Sequence, residues 1–262
     1  MRVTTRNARF QQWQALLANR TKRQRLGQLL VQGVRPINLA IEHGLTIDTL
    51  LHNADARLSN WARGVLDESD AEAIAVAPEL LAELADKDDA ELVAVARRPD
   101  DRLGAITPSP DFLGVAFDRP TSPGNIGTLA RSADAFGAKA LMTTGHAADV
   151  WDPKAVRAST GSLFALSVAR VDAVADVTAW LADSPTPVRV VGTDEHGDTD
   201  LAECDLTGPV LIVVGNETTG LARGWRDRVD VMARIPITGA ASSLNAATAA
   251  SIVLYEAARQ RG

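Results

Sequence analysis

The chain has 262 residues, of which 46% are hydrophobic and 23% charged, and its formal net charge is -6. This composition supplies the apolar material for one large or two modest folded domains and excludes disordered and fibrous proteins. The only cysteine is Cys204 and the four histidines form no closely spaced pair, so we expect no disulfide framework and no metal site. No apolar run reaches the length of a membrane-spanning helix, so we expect a cytoplasmic protein without membrane contact.

The charge is unevenly distributed along the chain. Residues 1–41 carry eight basic residues and no acidic one, whereas the remainder carries 19 basic and 33 acidic residues, a net charge of -14. Such asymmetry indicates a polyanionic partner for a basic N-terminal arm, although a solvated basic face without a function is the simpler alternative. The candidate contacts to that partner are Arg6, Arg9, Arg20, Lys22, Arg23, Arg25 and Arg35. The aromatic residues Phe10 and Trp13 can stack on bases, but their spacing of three favours the core face of a helix.

From residue 26 to about 95, short apolar runs alternate with helix-like segments. Strands are predicted at residues 28–33, 45–51 and 73–76, and helices at 36–43, around 61–66 and at 78–84. The acid-rich stretch 67–101 is typical of a surface that faces away from nucleic acid. Three prolines between residues 98 and 111 indicate a linker, so we expect a small α/β domain over residues 1–105 and a second domain over 106–262.

The second domain alternates strands and helices more strictly. Strands are predicted at residues 112–118, 140–144, 188–193 and 209–215, and helices at 125–136 and 244–259. Continuous apolar strands between helices predict a parallel sheet that is covered on both faces. Ligands in such sheets bind at the carboxyl ends of the strands.

Three segments that follow predicted strands have unusual local chemistry. In residues 119–131, two prolines and two glycines lead into a helix whose first turn can bind an anion. Asn125 lies near the start of this helix and Arg131 projects from its second turn, where a lone arginine is ordinarily a surface residue.

The second segment is 215–221 and the third is 235–248. Gly215 at the end of a strand lets the backbone approach a ligand, but neither a phosphate-binding loop nor a dinucleotide fingerprint is present. Glu217 can be a base, an acceptor from a ribose hydroxyl or a helix cap. In the third segment Ser242 or Ser243 fits a helix N-cap, and Asn245 is less expected just inside a helix.

Together these segments resemble the signature motifs of the SPOUT superfamily, in its SpoU/TrmH branch of RNA ribose 2′-O-methyltransferases. Asn125, Gly127 and Arg131 look like motif one. Residues 215–217, together with Gly220 and Leu221, resemble motif two. Residues 243–245, followed by 254–257, resemble motif three. The N-terminal half is similar to the ribosomal-protein-like substrate-binding domain of this family.

The resemblance implies an α/β protein in which a C-terminal trefoil-knotted SPOUT domain with a parallel sheet follows a smaller N-terminal RNA-binding domain. It also implies S-adenosylmethionine as the cofactor, and a homodimer with the active site near the dimer interface. Ordinary topology rules exclude knots, so the knot is predicted by the resemblance alone.

Residue roles also come from the resemblance. Arg131 takes the place of the arginine that activates the ribose 2′-hydroxyl; a guanidinium is a poor base, so it would orient phosphate and stabilise a developing alkoxide. The other expected catalytic residues are Asn125, Glu217, Ser243 and Asn245. The expected cofactor contacts are Gly192, Thr193, Gly215, Asn216, Glu217, Ile235, Leu244 and Asn245.

Residues 6–17 and 194–198 are similar to family members that methylate a uridine of 23S rRNA and confer resistance to orthosomycin antibiotics such as avilamycin. We therefore expect 23S rRNA as the substrate. The alternatives are a tRNA ribose methyltransferase, a non-catalytic RNA-binding module and, more remotely, a dinucleotide-dependent oxidoreductase. The intact motif residues count against the second, and the missing fingerprint counts against the third.

Overall fold

The computed structural model describes all residues from Met1 to Gly262, which form two compact units. Unit 1 comprises Met1–Pro99 together with Trp151–Phe164, and unit 2 comprises Asp100–Val150 together with Ala165–Gly262. The chain thus passes between the units three times, whereas the sequence indicated one linker. The assignment of RNA binding to residues 1–105 and of catalysis to residues 106–262 stays a prediction.

The elements are numbered in chain order. The strands are β1 Arg2–Val3, β2 Gln28–Gln32, β3 Ile47–Asn53, β4 Glu72–Val76, β5 Leu92–Arg97, β6 Leu113–Asp118, β7 Ala140–Thr144, β8 Ser167–Val171, β9 Arg189–Thr193, β10 Thr199–Asp200, β11 Val210–Val214 and β12 Val231–Arg234. The α-helices are α1 Ala8–Ala18, α2 Arg20–Leu26, α3 Val34–Glu42, α4 Asn60–Glu68, α5 Pro78–Ala85, α6 Pro123–Ala135, α7 Pro153–Ala158, α8 Val174–Ala182, α9 Arg223–Arg226 and α10 Ala246–Arg261.

Unit 1 contains a five-stranded mixed sheet in the order β1-β4-β3-β5-β2. The strands and helices predicted between residues 28 and 84 are confirmed, with shifts of one or two residues at most ends. Strand β5 was not predicted; it lies within the acid-rich stretch 67–101 and pairs antiparallel with both β2 and β3. Its residues from Leu92 to Ala96 are all buried, because this strand lies inside the sheet.

The basic N-terminal segment folds into unit 1 and does not form a free arm. β1 pairs with β4, and α1 buries Phe10, Trp13 and Leu16 in the core of the unit. Phe10 is 0% exposed and Trp13 is 4% exposed, so the core-face prediction is confirmed and base stacking by these rings is wrong. Burial of one such aromatic side chain contributes roughly 1.5–3 kcal/mol to stability.

Arg23 in α2 was predicted to contact RNA, and the structure shows that this prediction is wrong. Its side chain is 2% exposed, and its guanidinium donates to the carbonyl of Leu16 at 2.7 Å and to Asp152 at 3.2 Å. The partner carboxylate belongs to the returning segment 151–164, which is part of unit 1. Because a buried guanidinium needs these partners, Arg23 serves the packing of unit 1 and cannot present its charge to RNA.

Unit 2 contains a seven-stranded sheet in the order β10-β12-β9-β11-β6-β7-β8, and every pairing is parallel. The predicted parallel sheet is therefore confirmed. The central strand β11 is buried on both faces, as its run of five apolar residues indicated. Strands β8, β10 and β12 and helices α8 and α9 were not predicted from the sequence. The trefoil knot stays a prediction.

No helix in the chain combines the length and the apolar character that crossing a membrane requires.

Candidate active site

Unit 2 has a cavity of about 480 Å³ at the carboxyl ends of β9, β11 and β12, which we call the strand-end cavity. Parallel strands bring these ends to one edge, where the backbone is no longer paired and side chains from successive loops converge. The start of α10 closes one side through Ala246 and Ala249. The cavity is lined by seven of the predicted site residues, namely Thr193, Gly215, Asn216, Glu217, Ile235, Ser243 and Leu244.

The loop of residues 215–221 follows β11 and forms a tight turn. Asn216 and Gly220 make an isolated antiparallel bridge, and the Asn216 side chain accepts from the amide of Thr218 at 2.9 Å. A Cβ atom at Gly215 would lie 2.7 Å from the backbone of Gly220, so only glycine lets the two ends of the turn approach this closely. The next helix, α9, begins at Arg223 and has Ala222 at its N-cap position, so the interpretation of Glu217 as a helix cap is wrong.

Three polar residues from the three motif segments meet beside this loop. The Nδ2 of Asn125 donates to Oε1 of Glu217 at 2.7 Å. The Nδ2 of Asn245 lies 3.4 Å from Oδ1 of Asn125, within reach of a long hydrogen bond. The structure therefore brings together residues that are 92 and 120 positions apart in the chain.

Asn245 has a second role as the N-cap of α10. Its Oδ1 accepts from the amides of Ala247 at 2.9 Å and Thr248 at 3.2 Å. The expectation that Ser242 or Ser243 caps this helix is wrong, because the helix begins at Ala246, two residues later than predicted. An asparagine at this position is thereby explained, since asparagine is among the best N-cap residues.

Gly192 and Arg131, which were predicted as site residues, neither line the strand-end cavity nor join the cluster of Asn125, Glu217 and Asn245. Gly192 is buried within β9, and a Cβ at this position would meet Val229 and Met232 side chains. Arg131 is exposed on α6, six positions after Asn125, which corresponds to about 120° around the helix axis and about 9 Å along it. Within one chain, α6 therefore presents Asn125 to the cavity region and Arg131 to a different side.

The cavity also contains charged residues that were not assigned a role from the sequence. Asp194 follows β9 directly and makes an ion pair with Arg226 at 3.2 Å. Arg226 in turn donates to the carbonyl of Leu221, the last residue of the 215–221 loop, at 3.1 Å. Asp194 was signalled by its position at the end of a predicted strand. Arg226 had no such signal, because its helix has only four residues.

The carboxylates on the cavity make its lining suited to a cationic small molecule. Asp194, Glu195 and Glu217 all line it, together with the apolar side chains of Ile235 and Leu244. In no part of the chain are three or more His, Cys, Asp or Glu side chains grouped so as to hold a metal ion.

Apart from the buried Arg23 and from Arg20, which also has an interaction partner, the candidate RNA-contacting residues of unit 1 fall into two groups. Arg6 pairs with Glu83, and Arg9 pairs with Glu72, whose pKa is lowered chiefly by this hydrogen bond. The remaining exposed or half-buried members that have no acidic partner are Lys22, Arg25 and Arg35.

Comparison with known families matches both halves of the chain. Residues 7–94 match the SpoU L30e-like domain, and residues 113–255 match the SpoU rRNA Methylase family. The first match agrees with the expected ribosomal-protein-like domain, and the second agrees with the expected methyltransferase domain.

Individual relatives extend over nearly the whole chain. The chain is 56% identical to a 23S rRNA (uridine(2479)-2′-O)-methyltransferase of Streptomyces viridochromogenes, over 99% of this chain and 92% of the relative. The solved structure of the SpoU methyltransferase AviRb from the same organism, in complex with the cofactor AdoMet, superposes with a TM-score of 0.91 at 55% identity, covering 97% of this chain and 99% of that chain.

A more distant structure has the same architecture. An AdoMet-bound rRNA methyltransferase from Sinorhizobium meliloti is 29% identical and superposes with a TM-score of 0.87, over 99% of this chain and 97% of that chain. Since a family match covers more than half of the chain and a relative of this similarity covers almost all of it, this chain belongs to the SpoU rRNA methylase family.

Proposed function

We propose that this protein is an S-adenosylmethionine-dependent methyltransferase that acts on the ribose 2′-hydroxyl of a uridine in 23S rRNA. The observation that carries the proposal is the convergence of Asn125, Glu217 and Asn245 beside the strand-end cavity. These residues come from three separate motif segments, and a non-catalytic RNA-binding module has no need of their convergence. The substrate follows the 56% identical relative, whose name specifies 23S rRNA and uridine.

The strand-end cavity fits the proposed cofactor. Its volume of about 480 Å³ is within the usual range for small-molecule sites. Ile235 and Leu244 offer apolar contact for an adenine ring, and the carboxylates of Asp194 and Glu217 suit a ligand with positively charged groups. When bound, S-adenosylmethionine supplies an electrophilic methyl group on a cationic sulfur.

The residues of the chain then have to position the ribose hydroxyl and relieve it of its proton. Asn125 holds the Glu217 carboxylate at one side of the cavity, and polar groups fixed in this way would orient the ribose for attack on the methyl group. Arg131 would orient a substrate phosphate that takes up the hydroxyl proton, and its guanidinium would stabilise the developing negative charge on the ribose oxygen.

The exposed position of Arg131 favours a homodimer in which each active site lies near the interface. α6 and α10 pack together through the hydroxyls of Ser132 and Ser251, which are 2.7 Å apart. Their outer faces carry Arg131 and an aromatic pair of Phe136 with Tyr255, of which Tyr255 is 56% exposed. A second copy on this face would cover the aromatic pair, and it would bring Arg131 of one chain toward the partner's substrate.

Cofactor binding is tested by calorimetry on the purified full-length protein. We expect a saturable binding isotherm with S-adenosylmethionine and none with NAD. Binding of NAD without binding of S-adenosylmethionine would overturn the methyltransferase proposal in favour of a dinucleotide enzyme.

The substrate is tested by mapping ribose methylation across rRNA and tRNA from cells with and without the gene. We expect one additional 2′-O-methyluridine in 23S rRNA, and growth in the presence of avilamycin that depends on the gene. A gene-dependent methylation found only in tRNA would contradict the proposed substrate.

The site of this chemistry also leads us to propose a cytoplasmic location, where ribosomal RNA is made and used in bacteria.

A further inference from the structure

Two adjacent residues that do not line the strand-end cavity, but contact a loop that does, have an unusual environment and backbone conformation. Asp118 is the last residue of β6 and is 1% exposed, and Arg119 follows it with a backbone φ of +48°. A buried carboxylate must find donors, and a non-glycine residue rarely adopts this left-handed conformation. Both features at adjacent positions indicate that the surrounding contacts hold this turn in place.

Asp118 collects donors from three segments. Its carboxylate accepts from the Arg119 guanidinium at 3.0 Å, from the Thr144 hydroxyl at 3.0 Å and from the amide of Ala222 at 2.7 Å. Ala222 is the residue directly after the 215–221 loop. The carboxylate therefore fixes the point where that loop ends.

Arg119 exchanges hydrogen bonds with the loop itself. Its Nη2 donates to the carbonyl of Gly220 at 2.9 Å, and the Nδ2 of Asn216 donates back to the Arg119 carbonyl at 2.8 Å. Both loop residues line the strand-end cavity, whereas Arg119 does not. The contacts thus hold the two ends of the turn from outside the site.

A glycine in the neighbouring loop makes room for this arrangement. A Cβ at Gly145 would lie 2.8 Å from Cγ of Arg119, so a larger residue there would displace the arginine side chain. Gly145 also has a φ of +66°, which alone disfavours other residues.

We infer that Asp118 and Arg119 are positioning residues that hold the 215–221 loop in the conformation that binds the cofactor. The inference rests on the proposed function, because it assigns these residues to the same site. Without the Arg119 contacts the loop would populate other conformations. The apparent cofactor affinity would then fall in proportion to the fraction of molecules whose loop is still in the binding conformation.

The test compares Arg119→Ala and Arg119→Lys with the wild-type protein. For Arg119→Ala we expect a rise of about tenfold or more in the Kd for S-adenosylmethionine, a corresponding rise in its KM and a much smaller change in kcat at saturating cofactor. Lysine keeps a charge beside Asp118 but lacks the fork that also reaches Gly220, so we expect an intermediate Kd. Hydrogen exchange of the amides of residues 216–222 should be faster in Arg119→Ala.

Gly145→Ala provides an independent test, and Gly137→Ala is its matched control. Both glycines have positive φ, at +66° and +78°, but a Cβ at Gly137 meets nothing within 4 Å. Both variants therefore carry the backbone strain, and only Gly145→Ala also displaces Arg119. We expect weaker cofactor binding in Gly145→Ala and near-normal binding in Gly137→Ala.

An unchanged Kd in Arg119→Ala, or a raised Kd without faster exchange in the loop, would overturn the positioning role. If Arg119→Ala fails to fold, Arg119→Lys and the glycine pair decide the question by the same two measurements. Failure of the wild-type protein to bind S-adenosylmethionine would overturn the proposed function instead, and the exchange experiment would still decide whether Arg119 orders the loop.

Discussion

Neighbouring cations in α2 show how strongly the environment decides the role of a charged residue. Arg23 is buried and bonded to a backbone carbonyl and to Asp152, whereas Arg25, two positions later, is exposed and has no acidic partner. In the sequence both are members of one basic segment. Only their position on the helix relative to the core separates them.

This contrast predicts a difference in stability. Arg23→Met should lower the free energy of unfolding by about 2–4 kcal/mol, because it leaves the partly buried Asp152 carboxylate without its charge partner. Arg25→Met, in the same helix, should change it by less than about 0.5 kcal/mol. Urea denaturation followed by circular dichroism measures both values, and equal losses in the two variants would contradict the structural role of Arg23.

The role proposed for Arg131, which is exposed on α6, leads to a direct test. Arg131→Ala should reduce methyl transfer to rRNA by at least about a hundredfold and leave cofactor binding nearly unchanged, because it removes charge stabilisation and no cavity contact. Transfer of a labelled methyl group, with calorimetry alongside, measures the two effects. Thr128→Ala on the same exposed side of α6 is the control, and near-normal turnover by Arg131→Ala would contradict the proposed role.

Among the secondary-structure elements, α10 extends from the strand-end cavity at its N-terminus to a group of charged and polar side chains near its C-terminus. Its first turn is capped by Asn245 beside the strand-end cavity, and its last turns carry Glu256 with Arg259 and Gln260. Hydrogen bonds from Arg259 and then Gln260 lower the pKa of Glu256 from 4.5 to about 2. The end of the helix is therefore stabilised by an ionised carboxylate.

The sign of this shift fixes a pH dependence. Since the pKa in the folded protein lies below that in the unfolded chain, the stabilisation is complete above pH 4.5 and is lost as the pH falls to about 2. Glu256→Gln should therefore lower the Tm modestly at pH 7, and its difference from wild type should shrink across this interval. Thermal denaturation at several pH values measures the trend. A difference that grows on acidification would contradict it.

The predicted elements were those whose signal is local. β11 is a short apolar run and β7 combines three apolar residues with two threonines; both are buried on both faces, and such segments can be identified directly from the sequence. β12 has only four residues and a mixed pattern, whereas the apolar run of β5 lies within the acid-rich stretch 67–101, which suggested a surface. For β12, pairing within the sheet outweighs a weak local preference.

Over the whole molecule, the net charge of -6 conceals a basic N-terminal segment. Ion pairs within unit 1 in turn reduce the number of unpaired cations in that segment. Arg2 pairs with Asp55, as Arg6 and Arg9 pair with other carboxylates. The cations left for RNA are fewer than the sequence suggested.

This reduction predicts which cations determine the salt dependence of rRNA binding. Replacing Lys22, Arg25 and Arg35 by glutamine should reduce the slope of log K against log salt by about 2, because each phosphate contact contributes about 0.7. The matched control replaces the ion-paired Arg2, Arg6 and Arg9, and it should change the slope by less than half as much. Filter binding at several salt concentrations measures both slopes. Equal reductions would show that ion pairing does not separate the two groups.

The sequence by itself determined the two α/β halves, the parallel sheet and the three motif segments, because apolar periodicity and glycine-rich turns are local properties of the chain. The tertiary structure decided which polar residues meet, since Asn125, Glu217 and Asn245 are joined only by the order of strands in the sheet. It also decided that residues 151–164 return to unit 1 and bury Arg23 there. Contacts between residues so far apart depend on the packing of the whole sheet and its helices, and no local pattern records them.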